Sequence, residues 1–375
     1  MSTNTTTDVS EVRPLAYVTP IKELNPIDGA DRIELATVLG WKVIVRKGMY
    51  NIGDLVIYFE IDSLLPKWDI FQDLEKTKYR IKTIKLRGVF SNGYCCPLSE
   101  FSFEDTLGFV NSDVSNNKIE YREEVDGEIK SVDLTDGIDL TNILQIRKWE
   151  ILDDNRFRAG RGEGYRPSYI RKTDQTRIQN KPEFFEKYGE LEFEVSEKLE
   201  GSSITTFIKI DDFGLEEGVC TRNMRLMLTD EESVAVQLIK KYEIMERLRE
   251  YGKSIALQGE IIGPGIQGNI YGLTEFQWRI FDIFDIFGQK YLDPLSKSKV
   301  LEDLEIVDLS VPILDTIKLN NFDLDSLVEL ADGKSVLNKH VNREGIVFKS
   351  YENVGMNDEP VSFKAISNKY LLKQG

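Results

Sequence analysis

The chain has 375 residues, 41% hydrophobic and 10% aromatic, which is too long for one ordinary core and excludes a disordered protein. Its formal net charge of −16 excludes a uniformly basic nucleic-acid binder, so phosphate binding would need cations gathered on a local track. No apolar run approaches the ~20 residues that span a bilayer, Met1–Val9 is polar and lacks the core of a signal peptide, and the three cysteines have neither disulfide nor zinc spacing. They are expected to be buried thiols of a cytoplasmic protein that does not enter a membrane.

From Leu15 to about Leu98 short strands alternate with turns, as in Trp41-Lys-Val-Ile-Val-Arg46, Asn51-Ile-Gly-Asp54 and Leu55-Val-Ile-Tyr-Phe-Glu60. The β-branched and aromatic alternation predicts a small antiparallel barrel of the OB type, within an N-terminal domain of residues 1–150. Lys76, Lys78, Arg80, Lys82, Lys85 and Arg87 crowd one stretch, and Arg80 and Lys82 would share a strand face. Such a face suits nucleic acid, and it equally suits a solvated edge strand guarded by lysines. Residues 151–175 read as a linker, because Arg156, Arg158, Arg161, Arg166 and Arg171 alternate there with glycines and Pro167. Arginines on flexible backbone are also good phosphate contacts.

Residues 176–375 form the second predicted domain, with longer strands mixed with helices after Pro182. Thr229-Asp-Glu-Glu232 has capping-box spacing and predicts an amphipathic helix to about Tyr251, with Ala235, Leu238, Ile239, Tyr242 and Leu248 as its buried stripe. Ser296 to Lys334 carries further helical text. The fold class expected is α+β, a barrel followed by a domain of antiparallel sheets and flanking helices.

Chemistry concentrates in Val195-Ser-Glu-Lys-Leu-Glu-Gly201. A Lys-x-Glu-Gly tetrapeptide is common by chance, but five further segments follow in order. They are Cys220-Thr-Arg-Asn223, Gly259-Glu-Ile-Ile-Gly-Pro-Gly-Ile-Gln267, Arg279-Ile-Phe-Asp-Ile283, Arg343-Glu-Gly-Ile-Val-Phe-Lys349 and Ser362-Phe-Lys-Ala-Ile-Ser-Asn-Lys369. Together they resemble the ordered motifs of the covalent nucleotidyltransferases, the ATP-dependent ligases and mRNA capping enzymes. Within that superfamily the chain is most similar to RNA ligases of the Deinococcus and Naegleria type, relatives of the RNA ligase 2 branch.

The resemblance implies an ATP-dependent RNA ligase that joins 3′-OH and 5′-phosphate ends, in nicked duplex, through a lysyl-AMP on Lys198. It implies that Glu197 accepts from the adenine amine, Arg222 and Arg177 hold the nucleotide, Glu260 binds the ribose and Phe281 stacks on the base. Phe284, in the second Phe-Asp-Ile, competes for that last role. Glu200 and Glu344 would position Mg²⁺ or Mn²⁺ through water, and Lys349 and Lys364 would contact the α-phosphate. Glu200 replaces the aspartate of many relatives, and Ile366 replaces a lysine of the last motif, for which Lys369 would substitute. A lysine amine attacks phosphorus only when neutral, so cationic neighbours (Lys349, Lys364, a metal) are the expected source of its activation. The partner would be RNA and the state a monomer. DNA ligases and capping guanylyltransferases normally carry an OB domain after the last lysine motif, and Gly375 lies only eleven residues beyond Lys364. RNA ligase is therefore expected over those two; intact Lys198, Glu344 and Lys364 favour it over a non-catalytic RNA-binding protein on a ligase scaffold, and the long second domain favours it over a tRNA-binding module built on the barrel.

Overall fold

The computed structural model describes residues 14–101, 103, 109–113, 117–122, 127–149 and 160–374. The chain divides into two compact units, residues 1–151 and 152–374. Among the described residues no helix is long and apolar enough to cross a membrane, and Cys95, Cys96 and Cys220 are unpaired and buried.

In the first unit, β1 (Ala16–Pro26), β2 (Ile33–Val38), β3 (Trp41–Arg46), β4 (Leu55–Phe59), β5 (Ser63–Leu64), β6 (Thr83–Leu86), β7 (Val89–Asn92) and β8 (Tyr94–Pro97) follow in sequence. Five of them form an antiparallel sheet in the order β3-β2-β1-β4-β8. β1 pairs with β4 through Ala16–Pro20 and with β2 from Ile21 onward, and an irregularity between Ile21 and Glu23 bends it so that one strand serves both halves of a curled sheet. The alternating residues Trp41, Val43 and Val45 turn inward onto Tyr17, Val38, Val56 and Tyr58. This is the antiparallel barrel that the sequence predicts. β9 (Phe109–Asp113), β10 (Lys118–Arg122) and β11 (Ile129–Asp133) make a separate three-stranded sheet, and β12 (Arg147–Lys148) pairs with β5.

The predicted basic face of Arg80 and Lys82 does not form. Arg80 is buried, bonded to Asp62 at 2.8 Å and stacked 3.4 Å over the Trp149 ring, and the strand begins only at Thr83. The remaining cations sit on the hairpin β6–β7 and just before it.

The second unit opens with β13 (Gly162–Tyr165) and β14 (Thr176–Arg177), then α1 (Phe184–Tyr188), β15 (Glu192–Lys198), β16 (Ser202–Asp211), β17 (Gly214–Cys220) and β18 (Met224–Leu226). It continues with α2 (Val234–Lys241), α3 (Ile244–Tyr251), β19 (Ile255–Ile262), β20 (Gln277–Asp285), β21 (Lys290–Tyr291) and α4 (Pro294–Asp303). β22 (Ile313–Lys318), α5 (Leu324–Ala331), β23 (Gly345–Ser350), β24 (Ser362–Ile366) and α6 (Asn368–Gln374) complete it. A seven-stranded sheet runs β13-β18-β17-β16-β19-β20-β21, and a five-stranded sheet runs β14-β24-β23-β15-β22. The first buries one face under α2, α3 and α4, with Leu238, Leu248, Leu257, Trp278 and Leu301 in one cluster.

Three expectations change here. Residues 160–175, which composition assigns to the linker, belong to the seven-stranded sheet and its covering. Arg166 donates to the Thr205 hydroxyl (2.9 Å) and to the Arg171 carbonyl (2.9 Å), and Arg171 pairs with Glu359. These arginines fasten a strap to the sheet; Arg156 and Arg158 lie outside the described residues. The long helix begins at Val234 rather than at Thr229, capped by the Ser233 hydroxyl, and the Asp230 carboxylate in the preceding turn accepts from the Arg161 N–H at 2.6 Å. It breaks at Glu243, whose φ is +55°, so that α2 and α3 are separate helices presenting one apolar stripe. The helical text of residues 296–334 contains the strand β22, which forms an edge of the five-stranded sheet.

Candidate active site

Strand register brings the distant motifs together. On β15, β23 and β24, Lys198 faces Gly345 and Ile366, Ser196 faces Val347 and Lys364, and Glu194 faces Lys349 and Ser362. Directly opposed residues share a sheet face and alternate residues share it along a strand. One face therefore carries Lys198, Lys349 and Lys364. The other carries Phe193, Val195, Ile346, Phe348, Phe363 and Ala365, which pack with Leu319, Leu327 and Ala331 into the unit's second core. β14 adds Arg177 beside Lys364 through a parallel pairing, with its side chain buried.

Lys198 ends β15, and its Nζ donates to Glu344 Oε1 at 2.5 Å. Burial alone would depress the ammonium. Glu344, Glu260 and Glu200 outweigh burial and hold Lys198 above the ordinary lysine range. The expected surroundings are thus inverted: the neighbours that set the charge of Lys198 are carboxylates, not Lys349 or Lys364, and they keep it protonated. Glu260 responds in kind, since burial pushes it up to about 8, with Lys198 opposing and Glu344 reinforcing that rise. The turn that follows Lys198 requires Gly201, because a Cβ there would collide with the Ile261 carbonyl and the Glu260 side chain.

Lys349 meets different surroundings. It is 5% exposed, ion-paired with the buried Asp282 of β20, and lies 5.5 Å over the Tyr291 ring. Burial pushes its ammonium down to about 8, against the pull of Glu194 and Glu359. Asp282 has no role in the sequence reading, although it stands in the Arg279–Ile283 segment. An aspartate in an apolar strand needs a buried partner, and that was the available signal.

The segment around Lys198 is clamped by neighbouring loops. Glu197 is 1% exposed, and its Oε2 accepts from the Val336 N–H at 2.8 Å. Burial raises its carboxyl, and bonds from Ser335 and Val336 oppose the rise. The Glu200 N–H donates to the Tyr271 hydroxyl at 2.6 Å, and Asn338 donates to the Tyr271 carbonyl at 3.2 Å. Nothing in the sequence signals Tyr271. Phe281 is half-buried beside Leu199, Ile262, Tyr271 and Val311, while Phe284 is fully buried against Ile170, Phe207 and Ala256. Of the two phenylalanines, only Phe281 offers ring surface to a ligand.

Two predicted nucleotide contacts are occupied by protein partners. Arg222, exposed in the turn after β17, forms a two-bond ion pair with Asp174. Lys369 lies on α6 and pairs with Asp332 at 3.5 Å, beside the Ser367 hydroxyl that bonds the same carboxylate. It is thus drawn to the end of α5 rather than into the place of the missing motif lysine.

The site's acidic groups suit a hydrated divalent ion. Glu200, Glu260 and Glu344 all act on the Lys198 ammonium, yet among the described residues no group of three or more His, Cys, Asp or Glu forms a protein cage for a metal. Carboxylate oxygens without a protein cage or His and Cys ligands match Mg²⁺ or Mn²⁺ rather than zinc.

Comparison with known proteins follows the same division of the chain. The model of an OB-fold domain matches residues 15–98, and that of RNA ligase matches residues 191–366. Among solved structures, a ligand-free variant of the RNA ligase of Naegleria gruberi is 34% identical, with 96% of this chain and 98% of that chain aligned at a TM-score of 0.81. A variant of that enzyme with ATP and manganese is 34% identical over 96% and 98% of the two chains, with a TM-score of 0.79. Its structure with pyrophosphate is 35% identical over 96% and 99%, with a TM-score of 0.80. No curated protein matches the chain.

Proposed function

The chain belongs to the RNA ligases, and from that premise we propose that it joins a 3′-OH to a 5′-phosphate in nicked RNA duplex through a lysyl-AMP on Lys198. It is an ATP-dependent ligase, and Mn²⁺ or Mg²⁺ is its metal. The observation that carries the mechanism is the shared sheet face: Lys198, Lys349 and Lys364 converge from three strands, with Glu344 hydrogen-bonded to the nucleophile.

In the first step the Lys198 amine forms a bond to the α-phosphorus of ATP, and the bond to pyrophosphate breaks. The proton that Lys198 must first lose is the one its three carboxylates retain, so those carboxylates set the resting state. Glu200 and Glu344 would hold a divalent ion through water, and its positive charge would offset the carboxylates and neutralise the phosphates. Lys364 and Arg177 add cations on the same face. Phe281 stacks on the adenine, Glu197 accepts from its amine beneath the Ser335–Val336 backbone, and Glu260 binds the ribose. AMP then passes to the RNA 5′-phosphate, and the 3′-hydroxyl expels it as the phosphodiester forms.

The test is incubation with α-labelled ATP or GTP and Mn²⁺, followed by detection of label on denatured protein. Label from ATP that is absent in Lys198→Ala is expected. Label from GTP alone, or label that survives Lys198→Ala, overturns the assignment. A duplex nicked between RNA strands should then be sealed faster than free single-stranded ends.

A further inference from the structure

The adenylylation chemistry leaves the basic stretch of the first unit unused. From Lys76 to Ser99 the sequence holds six basic residues and no acidic one, in a chain of net charge −16. Arg80 is taken by Asp62 and Trp149. Lys76, Lys78, Lys82, Lys85 and Arg87 have no ion pair among the described residues.

The last three of these sit on or beside the hairpin β6–β7. Its base is fixed: Thr83 donates to Asn92 Oδ1 at 2.8 Å, and the Ser91 hydroxyl accepts from the Ile44 N–H at 2.9 Å. Its tip turns through Arg87 and Gly88, both with positive φ (53° and 85°), the geometry of a type I′ turn. Asparagine or glycine suits that first position, and an arginine there is strained by about 1 kcal/mol. The side chain carries a guanidinium from the tip of the ribbon, exposed and 3.9 Å from where a Cβ on Gly29 would stand. Lys85 lies on one face over Phe90, Ile84 and Leu86 lie on the other, and Lys82 immediately precedes the strand. Ile84 and Leu86 are 48% and 45% exposed.

The apolar residues decide which nucleic acid fits. Sites for single strands offer aromatic platforms on which bases stack. Among the described residues the exposed large apolar side chains of this unit are Met49, Ile52, Ile84, Leu86 and Ile129, none of them aromatic, and Phe90 is covered by the Lys85 ammonium at 4.8 Å. Cations without a stacking platform engage backbone, which is what an A-form duplex presents. We propose that the β6–β7 hairpin grips the phosphate backbone of double-stranded RNA, with Lys82, Lys85 and Arg87 as phosphate contacts. The proposal rests on the RNA-sealing reading of the catalytic face.

Filter binding of the full chain to a nicked RNA duplex across a salt series tests it, with lysyl-AMP formation measured on the same preparations. The test variant combines Lys82→Ala, Lys85→Ala and Arg87→Asn, the last because asparagine tolerates positive φ. Its affinity at low salt should fall about tenfold or more, and its plot of log affinity against log salt should lose a slope of about two to three. Lysyl-AMP formation should not change and the melting temperature should not fall, since Arg87→Asn relieves strain at the turn, and Lys82→Arg/Lys85→Arg should bind like the natural chain. Unchanged affinity and slope overturn the proposal, as does an equal or larger loss of binding to single-stranded RNA of the same length. Failure of the natural chain to form lysyl-AMP, with hairpin-dependent duplex binding intact, overturns the ligase mechanism and leaves the hairpin assignment standing.

Discussion

Lys198 and Lys349 lie on the same face of one sheet, on neighbouring strands, and their ammonium groups meet opposite conditions. Lys198 sits at the strand end among three carboxylates, which keep it charged despite burial. Lys349 sits deeper, ion-paired with Asp282, and there burial outweighs the pull of Glu194 and Glu359 and moves it the other way, down to about 8. The lysine proposed as nucleophile, which must become neutral, is therefore stored charged, while the lysine proposed to hold a phosphate is already costly to keep charged. The first arrangement is reversible by an incoming cation, since its carboxylates act on Lys198 from several sides and a metal can take them over. The second is fixed, because Asp282 is as buried as Lys349 and has nowhere to turn.

The largest expected effect removes the carboxylate nearest Lys198. Glu344→Gln should cut lysyl-AMP formation by about 10²–10³-fold, the size typical of a group that organises transition-state charge. It should also lower the Lys198 pKa, because Glu344 is the main influence raising it. In the natural chain adenylylation should climb with pH through the neutral and alkaline range; competitive labelling of amines with acetic anhydride should show Lys198 of the variant turning reactive at lower pH. If Lys198 titrates identically in both proteins, the contrast with Lys349 has no electrostatic basis.

Next in size is the buried pair. Asp282→Ala leaves the Lys349 ammonium buried without its partner and should cost about 3–5 kcal/mol of stability by denaturant unfolding. Lys349→Met/Asp282→Leu replaces the pair by apolar groups of similar volume and should recover most of that loss. Adenylylation should stay lost in the stable double variant. Recovery of activity along with stability would make Lys349 a structural residue.

Much of this arrangement was legible in the sequence, and the remainder lies in pairings that sequence does not encode locally. Within β15 the alternation of Phe193 and Val195 with Glu194, Ser196 and Lys198 already separates a core face from a polar one. That Lys349 and Lys364 join the polar face depends on register between strands more than a hundred residues apart in sequence. The capping-box spacing at Thr229 misplaced a helix start because the cap that forms is the Ser233 hydroxyl on the Val236 N–H, while Asp230 ties the preceding turn to Arg161, a contact across 69 residues. β22 was hidden in helical text because an edge strand with Asp315, Thr316 and Lys318 shows little apolar alternation. Lys369 was legible as a cation, and only the fold supplies Asp332, which draws it away.

A smaller effect separates the two phenylalanines of β20. Phe281→Leu should raise the KM for ATP about tenfold with little change in melting temperature, the worth of a stacked base. Phe284→Ala should instead destabilise the unit by about 3–5 kcal/mol, with KM unchanged in the protein that remains folded. An ATP defect in the Phe284 variant would move the base to the other face of the strand.

The smallest effect concerns Tyr271, whose hydroxyl holds the backbone of the residue that replaces aspartate. Glu200 carries one more methylene than its counterpart in many relatives, so its carboxylate reaches further for the same Cα position. Fixing its N–H to a buried phenol removes backbone freedom that the longer side chain would otherwise add. Tyr271→Phe keeps the ring in its apolar cluster and removes only the acceptor, at a cost of about 1 kcal/mol of stability. If the bond serves Glu200 and not merely the packing of the turn, the Mn²⁺ concentration for half-maximal adenylylation should rise about threefold to fivefold, in line with about 1 kcal/mol. Tyr271→Phe/Glu200→Asp should lose less than the sum of the two single losses, because the shorter side chain has less freedom to restrain. A lower melting temperature with an unmoved metal requirement would reduce Tyr271 to packing and leave the site of Lys198 defined by its carboxylates alone.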